Sequence, residues 1–131
     1  LLSLNQLAHT YMQSRNDTYV MELAIQYIRR NYPKPITLAM VSNEVSLNYA
    51  YFSTMFSKYT GKTFSEYLRN TRMEKAKELL RQPDISIAEV AAQVGYENYK
   101  SFYRAFKDAV GTTPVEYQQK KYRIHREDEK Q

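Results

Sequence analysis

The sequence has no cysteine, no tryptophan, three glycines and four prolines among its 131 residues. Without cysteine there is neither a disulfide scaffold nor a thiolate metal site, a usage that fits a reducing, cytoplasmic setting. So little glycine, with few alternating β-branched runs, argues against a sheet protein. No apolar run approaches the roughly 18 residues of a membrane-spanning helix, and no signal-peptide pattern is present. The two histidines, His9 and His125, stand in the terminal segments. There is no glycine-rich phosphate loop and no pair of carboxylates in an apolar setting, so an enzyme is not expected, nor a cofactor or a metal.

What the chain does contain is 43% hydrophobic residues, enough for one packed domain or two small subdomains sharing a core. The abundance of Leu, Ala, Glu, Lys, Arg and Gln favours helices, and the expected class is all-α. The formal charge of +5 and isoelectric point near 9.3 are mildly basic, so the placement of the charge matters more than its sum. The chain begins at Leu1 rather than at methionine, which leads us to expect a preceding N-terminal domain.

Residues 1–18 read as a connecting segment from that domain. Leu1, Leu4, Leu7/Ala8 and Tyr11/Met12 have amphipathic helical spacing, with a short dimerising segment as the alternative. Asp17 or Thr18 can cap a second helix running to about Asn31, with Val20, Ala24, Tyr27 and Ile28 on its apolar face and Arg29/Arg30 in the last turn. Tyr32-Pro33-Lys34-Pro35 ends it.

An internal repeat follows. Residues 36–45 align with 85–94 (an offset of 49, from 36 to 85), with identities at Ile36/Ile85, Ala39/Ala88, Val41/Val90 and Val45/Val94. After one extra residue in the turn, the register holds over twenty positions, 48–67 against 98–117. Asn48/Asn98, Tyr49/Tyr99, Phe52/Phe102, Phe56/Phe106, Gly61/Gly111, Thr63/Thr113, Glu66/Glu116 and Tyr67/Tyr117 coincide. Unrelated sequence of average composition should give about one or two such identities, so the pattern is a duplication.

Each copy reads as a short helix capped by Thr37 or Ser86, a turn, and a second helix capped by Asn48 or Asn98. Gly95 supplies a left-handed turn residue, and Gly61 and Gly111 close the second helices. This is a helix-turn-helix layout. The expected organisation is a first subdomain over 19–62, a linker helix over 63–82, a second subdomain over 83–122 and a frayed charged tail over 123–131. The linker, TFSEYLRNTRMEKAKELLRQ, opens on a Thr63/Glu66 capping box and should be a stiff rod roughly 26 to 30 Å long. A short closing helix is expected from Pro114 to Lys121.

On the second helix of copy one, Phe52, Met55, Phe56 and Tyr59 should face inward, leaving Tyr49, Ala50, Ser53, Thr54 and Ser57 outward. On that of copy two, Phe102, Ala105, Phe106 and Ala109 should face inward. Tyr99, Lys100, Tyr103, Arg104 and Lys107 then form a compact cationic outer face. Arg and Lys on such a face can donate to guanine O6/N7 or to phosphate; Ser, Thr and Tyr do so more weakly.

These motifs together resemble the DNA-binding domain of the AraC/XylS family of bacterial transcription regulators. The resemblance covers about Tyr19 to Lys121. It rests on Ile36-Thr-Leu-x-x-Val, Phe52-x-x-x-Phe56-x-x-x-x-Gly61-x-Thr-Phe-x-x-Tyr67, Arg72-Met-x-x-Ala76-x-x-Leu-Leu80, Ile87-x-x-Val90-Ala-x-x-Val-Gly95-Tyr and Phe102-x-Arg-x-Phe106-Lys-x-x-x-Gly111-x-Thr-Pro114-x-x-Tyr117. It implies seven helices and two helix-turn-helix units, whose recognition helices enter successive major grooves about 34 Å apart.

Carried over by position, the base-reading residues are Tyr49, Ala50, Ser53 and Thr54 in the first recognition helix and Tyr99, Lys100, Tyr103 and Arg104 in the second. The caps Asn48 and Asn98 and the flanking Lys107 join them in the expected DNA interface. Phosphate contacts are expected near Thr37 and Ser86 and from Lys62 and Arg81. The second helix should dominate specificity, because the first offers only short side chains. The resemblance also implies contact with RNA polymerase, and a DNA-binding unit that is monomeric by itself. A protein-interaction module that kept the fold but lost DNA binding is the rival reading; the neutral first helix favours it, while Lys100 and Arg104 oppose it.

Overall fold

A computed structural model describes residues 4–130, with side chains placed for 16–124 and 127–129. The readings of Leu1 to Met12, His9 and His125 therefore lie outside the described side chains. Seven helices run in order among the described residues: α1 (Leu4–Asn31), α2 (Leu38–Glu44), α3 (Tyr49–Thr60), α4 (Phe64–Leu80), α5 (Ile87–Gln93), α6 (Tyr99–Val110) and α7 (Pro114–Lys130). There is no strand among the described residues, so the class is all-α as expected.

The helix boundaries follow local chemistry. Thr37 Oγ1 accepts from Met40 N (3.2 Å) and Ser86 Oγ from Glu89 N (3.1 Å), starting α2 and α5. Thr63 Oγ1 accepts from Glu66 N (3.2 Å) to start α4, whose 17 residues span about 26 Å. Thr113 repeats the cap for α7, and there the Glu116 carboxylate also accepts from Thr113 N (3.3 Å), completing the box. Gly61 and Gly111 stop α3 and α6 in left-handed conformations, φ 75° and 92°.

Two expectations about helix ends are corrected. Neither Asp17 nor Thr18 begins a helix; α1 passes through both without a break. No proline or glycine interrupts 12–20, and Asn, Asp or Thr inside a helix costs under about 0.7 kcal/mol each, too little to break one. Likewise the tail is not separate from α7, which stays helical to Lys130 because nothing after Pro114 stops it.

The chain forms two compact units, divided inside α4 between Tyr67 and Leu68. The first comprises α1 with Ile36–Tyr67, and the second Tyr32–Pro35 with the chain from Leu68 onward. In the first, Met21, Ala24, Ile25, Ile28, Ile36, Val41, Phe52, Phe56 and Phe64 are buried. The stripe of α1 is thus centred on Met21, Ala24/Ile25 and Ile28, while Val20 and Tyr27, expected in it, are half-buried flanks. Phe56 stacks edge-on against Tyr67, centroids 5.3 Å apart. The second unit repeats that contact as Phe106 against Tyr117 at 5.6 Å. Its core is Met73, Ala76, Leu80, Val90, Ala91, Val94, Phe102 and Phe106.

Tyr59 and Ala109, expected inward, are exposed. In both copies the inner stripe steps by four residues, through Phe52, Phe56 and Thr60 or Phe102, Phe106 and Val110, which carries 59 and 109 out to the flank. Thr60 Oγ1 donates to Phe56 O (2.8 Å) and accepts from Lys62 N (3.2 Å), so its half-buried hydroxyl is satisfied.

Candidate nucleic-acid interface

In each copy the turn that delivers the second helix has the same hydrogen bonds. Leu47 N donates to Ser42 O and Tyr96 N to Ala91 O, both at 2.9 Å. The residue between cap and turn is left-handed in each: Ser46 at φ 58°, Gly95 at φ 102°. Asn48 Oδ1 then accepts from Ala50 N (2.9 Å) and Tyr51 N (3.2 Å), and Asn98 Oδ1 from Lys100 N (2.8 Å). Both asparagines are therefore committed through their oxygen to starting α3 and α6, leaving the amide nitrogen as the group free of the cap.

With Phe52 and Phe56 fully buried, α3 presents Tyr49, Ala50 and Thr54 to solvent, with Ser53 half-buried beside them. Tyr49 is 55% exposed, large for an aromatic ring, and ready to cover sugar or base surface. Thr54 Oγ1 donates to Ala50 O (3.1 Å), so what it can offer outward is a methyl group and an acceptor lone pair. The face is small and uncharged.

The outer face of α6 differs. Tyr99, Lys100, Tyr103, Arg104, Lys107 and Asp108 line a shallow depression of about 460 Å³. Positions 99, 103 and 107, with 100 and 104, return at helical spacing, so these side chains share one side of the helix. The Tyr99 and Tyr103 rings lie 6.2 Å apart, and Lys100, Arg104 and Lys107 are all exposed. The ion pairs resolved among the described residues, Lys75–Glu78 and Lys77–Glu74, lie on α4. Aromatic rings beside long donors match what stacked, hydrogen-bonding and phosphate contacts require. Asp108 was not anticipated; four residues after Arg104, on the same side, it can accept from cytosine N4 or from Arg104.

The four expected phosphate contacts sit at or just beyond helix ends. Thr37 and Ser86 are exposed caps of seven-residue helices, Lys62 follows the end of α3, and Arg81 follows α4; neither Arg81 nor Ser86 lines the α6 depression.

One structural residue carries more than its motif position suggested. Arg72 of α4 is half-buried; its Nε donates to Tyr32 O (2.8 Å) and a terminal guanidinium nitrogen donates to Lys34 O (3.0 Å), while the guanidinium carbon sits 5.7 Å from the Tyr96 ring centroid. Burial lowers the Arg72 pKa, opposed by Tyr96, and burial raises that of Tyr96, opposed chiefly by Arg72. Arginine remains charged in either case. The fork pins the 32–35 bend against the turn that launches α6. An arginine flanked by the apolar positions of α4 was the available signal.

Among the described residues no helix is long and apolar enough to cross a membrane, and no group of three or more His, Asp or Glu side chains could hold a metal ion.

Comparison with known proteins places this geometry. A helix-turn-helix domain family matches residues 41–120. The regulatory protein PocR of Salmonella typhimurium is 34% identical over 99 residues, 76% of this chain and 33% of PocR. The curated relatives first matched are all longer, and the chain spans 13% to 36% of their length. Among solved structures, the C-terminal domain of AraT, a response regulator from Geobacillus stearothermophilus, is 34% identical with a TM-score of 0.74, covering 77% of this chain and 84% of that one. The DNA-binding domain of AdpA, solved in complex with a target DNA, shares the fold at 21% identity and a TM-score of 0.75, covering 81% of this chain and 95% of that one. The duplicated helix-turn-helix, its matching caps and these relatives lead to one conclusion: the chain belongs to the AraC-type family of helix-turn-helix, DNA-binding domains of transcription regulators.

Proposed function

We propose that this domain reads a specific double-stranded DNA site with α3 and α6 in successive major grooves on one side of the duplex. The observation that carries the reading is α6 itself: five aromatic and cationic side chains on one side, backed by two fully buried phenylalanines that fix the helix beneath them. Arg104 and Lys100 donate to base edges, Tyr99 and Tyr103 cover base or sugar surface, and Lys107 meets phosphate. On α3, Tyr49, Ala50, Ser53 and Thr54 read by close fit and thymine-methyl contact, with the amide groups of Asn48 and Asn98 at the entry of each helix. Thr37, Lys62, Arg81 and Ser86 add backbone contacts.

The domain acts as a monomer within a longer cytoplasmic regulator of bacterial genes, whose sensing part precedes α1 and whose protein partner is RNA polymerase. The greater length of the relatives supports a longer whole protein. Selection from genomic fragments at two salt concentrations, followed by footprinting, tests the DNA reading. The expected result is two adjacent protected major-groove segments on one side, with affinity falling steeply as salt rises. Enrichment no better than random fragments would instead leave the neutral face of α3 as the mark of a protein-binding module.

A further inference from the structure

Two tyrosines on α3 point neither into the core nor onto the outer face. Tyr51 Oη donates to Asp17 Oδ2 (2.8 Å), and Tyr59 Oη donates to Glu22 Oε1. Both acceptors are on α1, and the two donors stand in the first and last turns of α3, about 12 Å apart along its axis. The recognition helix is thus tied at both ends to α1, in addition to its Phe52/Phe56 stripe. Copy two has no counterpart: the aligned positions are Ser101 and Ala109, whose side chains cannot span such a gap.

The difference follows what each helix has to read with. Lys100 and Arg104 carry long, rotatable stems that absorb a displaced helix axis. Ala50, Ser53 and Thr54 do not, so their contact with a base edge depends on where the backbone lies, to within a fraction of an ångström. From this we infer that Tyr51 and Tyr59 are positioning residues for the first recognition helix, locking α3 to α1 through Asp17 and Glu22 and so setting base discrimination in the α3 half of the DNA site. The inference rests on the reading of α3 as a base-reading helix.

The test uses the whole chain and its selected DNA site. Ser53→Ala and Thr54→Val first map the base positions that α3 discriminates, and Arg104→Ala maps those of α6. The double variant Tyr51→Phe/Tyr59→Phe keeps both rings and removes only the hydroxyls. It is expected to bind about 3- to 10-fold more weakly and to lose discrimination at the α3 positions, leaving the α6 positions unchanged. Asp17→Ala/Glu22→Ala, which removes both acceptors, should give the same profile, with no further loss when all four changes are combined. Four results would overturn the inference. A uniform loss across both halves, or a lowered Tm with the profile intact, would make the ties merely structural. Intact discrimination at positions that Ser53 and Thr54 do map would remove the positioning role while leaving the DNA reading in place. If Ser53→Ala and Thr54→Val map no position, the base-reading role of α3 fails and the positioning role falls with it.

Discussion

At the bend between their two helices, the first copy carries Ser46 at φ 58° and the second Gly95 at φ 102°. The hydrogen bonds around them match, yet only one position tolerates a side chain. A Cβ on Gly95 would lie 3.0 Å from both Tyr32 O and Pro33 O, and 3.2 Å from Arg72 Nε. The two copies thus share a backbone plan and differ in what closes over it. The second is sealed by the 32–35 bend and the Arg72 fork, while α1 and α3 of the first are tied at their exposed edges by tyrosine hydroxyls. Duplicated architecture constrains the core; the supports around each recognition helix have diverged with the chemistry that helix presents.

The most severe way to break this comparison is to exchange the turn residues. Gly95→Ser adds left-handed strain and a collision with two backbone carbonyls that have little room to yield. We expect it to destabilise by about 2 to 4 kcal/mol, lowering Tm by well over 5 °C. Ser46→Gly relieves strain but frees the unfolded chain, so it should stay within about 1 kcal/mol of the parent. Thermal melts of both variants decide; equal effects would mean the turns are equivalent after all.

Next comes the fork. Arg72→Lys keeps the charge but cannot satisfy Tyr32 O and Lys34 O together while lying over Tyr96. A loss of about 1 to 2 kcal/mol is expected in denaturant unfolding, toward the low end because the group is half exposed. A neutral result would show that the 32–35 bend holds its place by packing alone.

The caps, the buried phenylalanine pairs and the cationic outer face of α6 were legible in the sequence because each rests on residues within one or two turns of one another. Thr37, Asn48, Ser86 and Asn98 cap where their side-chain oxygens predict. What was not legible depends on partners far along the chain. Asp17 looked like a helix start because aspartate caps well, but its carboxylate meets Tyr51, 34 residues away. Tyr59 sat on the edge of an apolar stripe, and a ring with a polar tip fits inside or outside until its partner is known. Arg72 appeared as a motif letter, and its carbonyl partners lie 38 and 40 residues earlier. The alignment did hold one unread signal: at an offset of 49, Ser46 falls on Gly95, which predicts its positive φ.

The two proposed reading faces can be compared directly on DNA. Arg104→Ala should cost about 1 to 3 kcal/mol on the selected site and relax one base position. Ser53→Ala should cost about 1 kcal/mol or less, since a neutral hydroxyl contributes less than a charged donor. Binding measured against a panel of single-base variants tests both. Were Ser53→Ala the more damaging, the assignment of specificity mainly to α6 would be reversed.

The finest contrast concerns two tyrosines held protonated for different reasons. Tyr59 has its pKa raised above the ordinary value near 10, first by the hydrogen bond to Glu22, then by desolvation and by the carboxylate charge. Tyr96 is raised by burial, with the nearby Arg72 and Arg69 pulling the other way. A raised phenol pKa means that the folded state holds the proton more tightly, so the stabilisation is present below the unfolded pKa and is lost as pH climbs through the folded value, in the alkaline range. For Tyr59 the share due to Glu22 should vanish in Glu22→Ala, which removes both the accepting oxygen and the charge that repels a phenolate. An alkaline NMR titration of the tyrosine rings should therefore show Tyr59 alone returning toward its ordinary range, with Tyr96 unmoved. If Tyr59 stays high in Glu22→Ala, the carboxylate is not what holds its proton, and the last turn of α3 is secured to α1 by ring packing instead of by the tie.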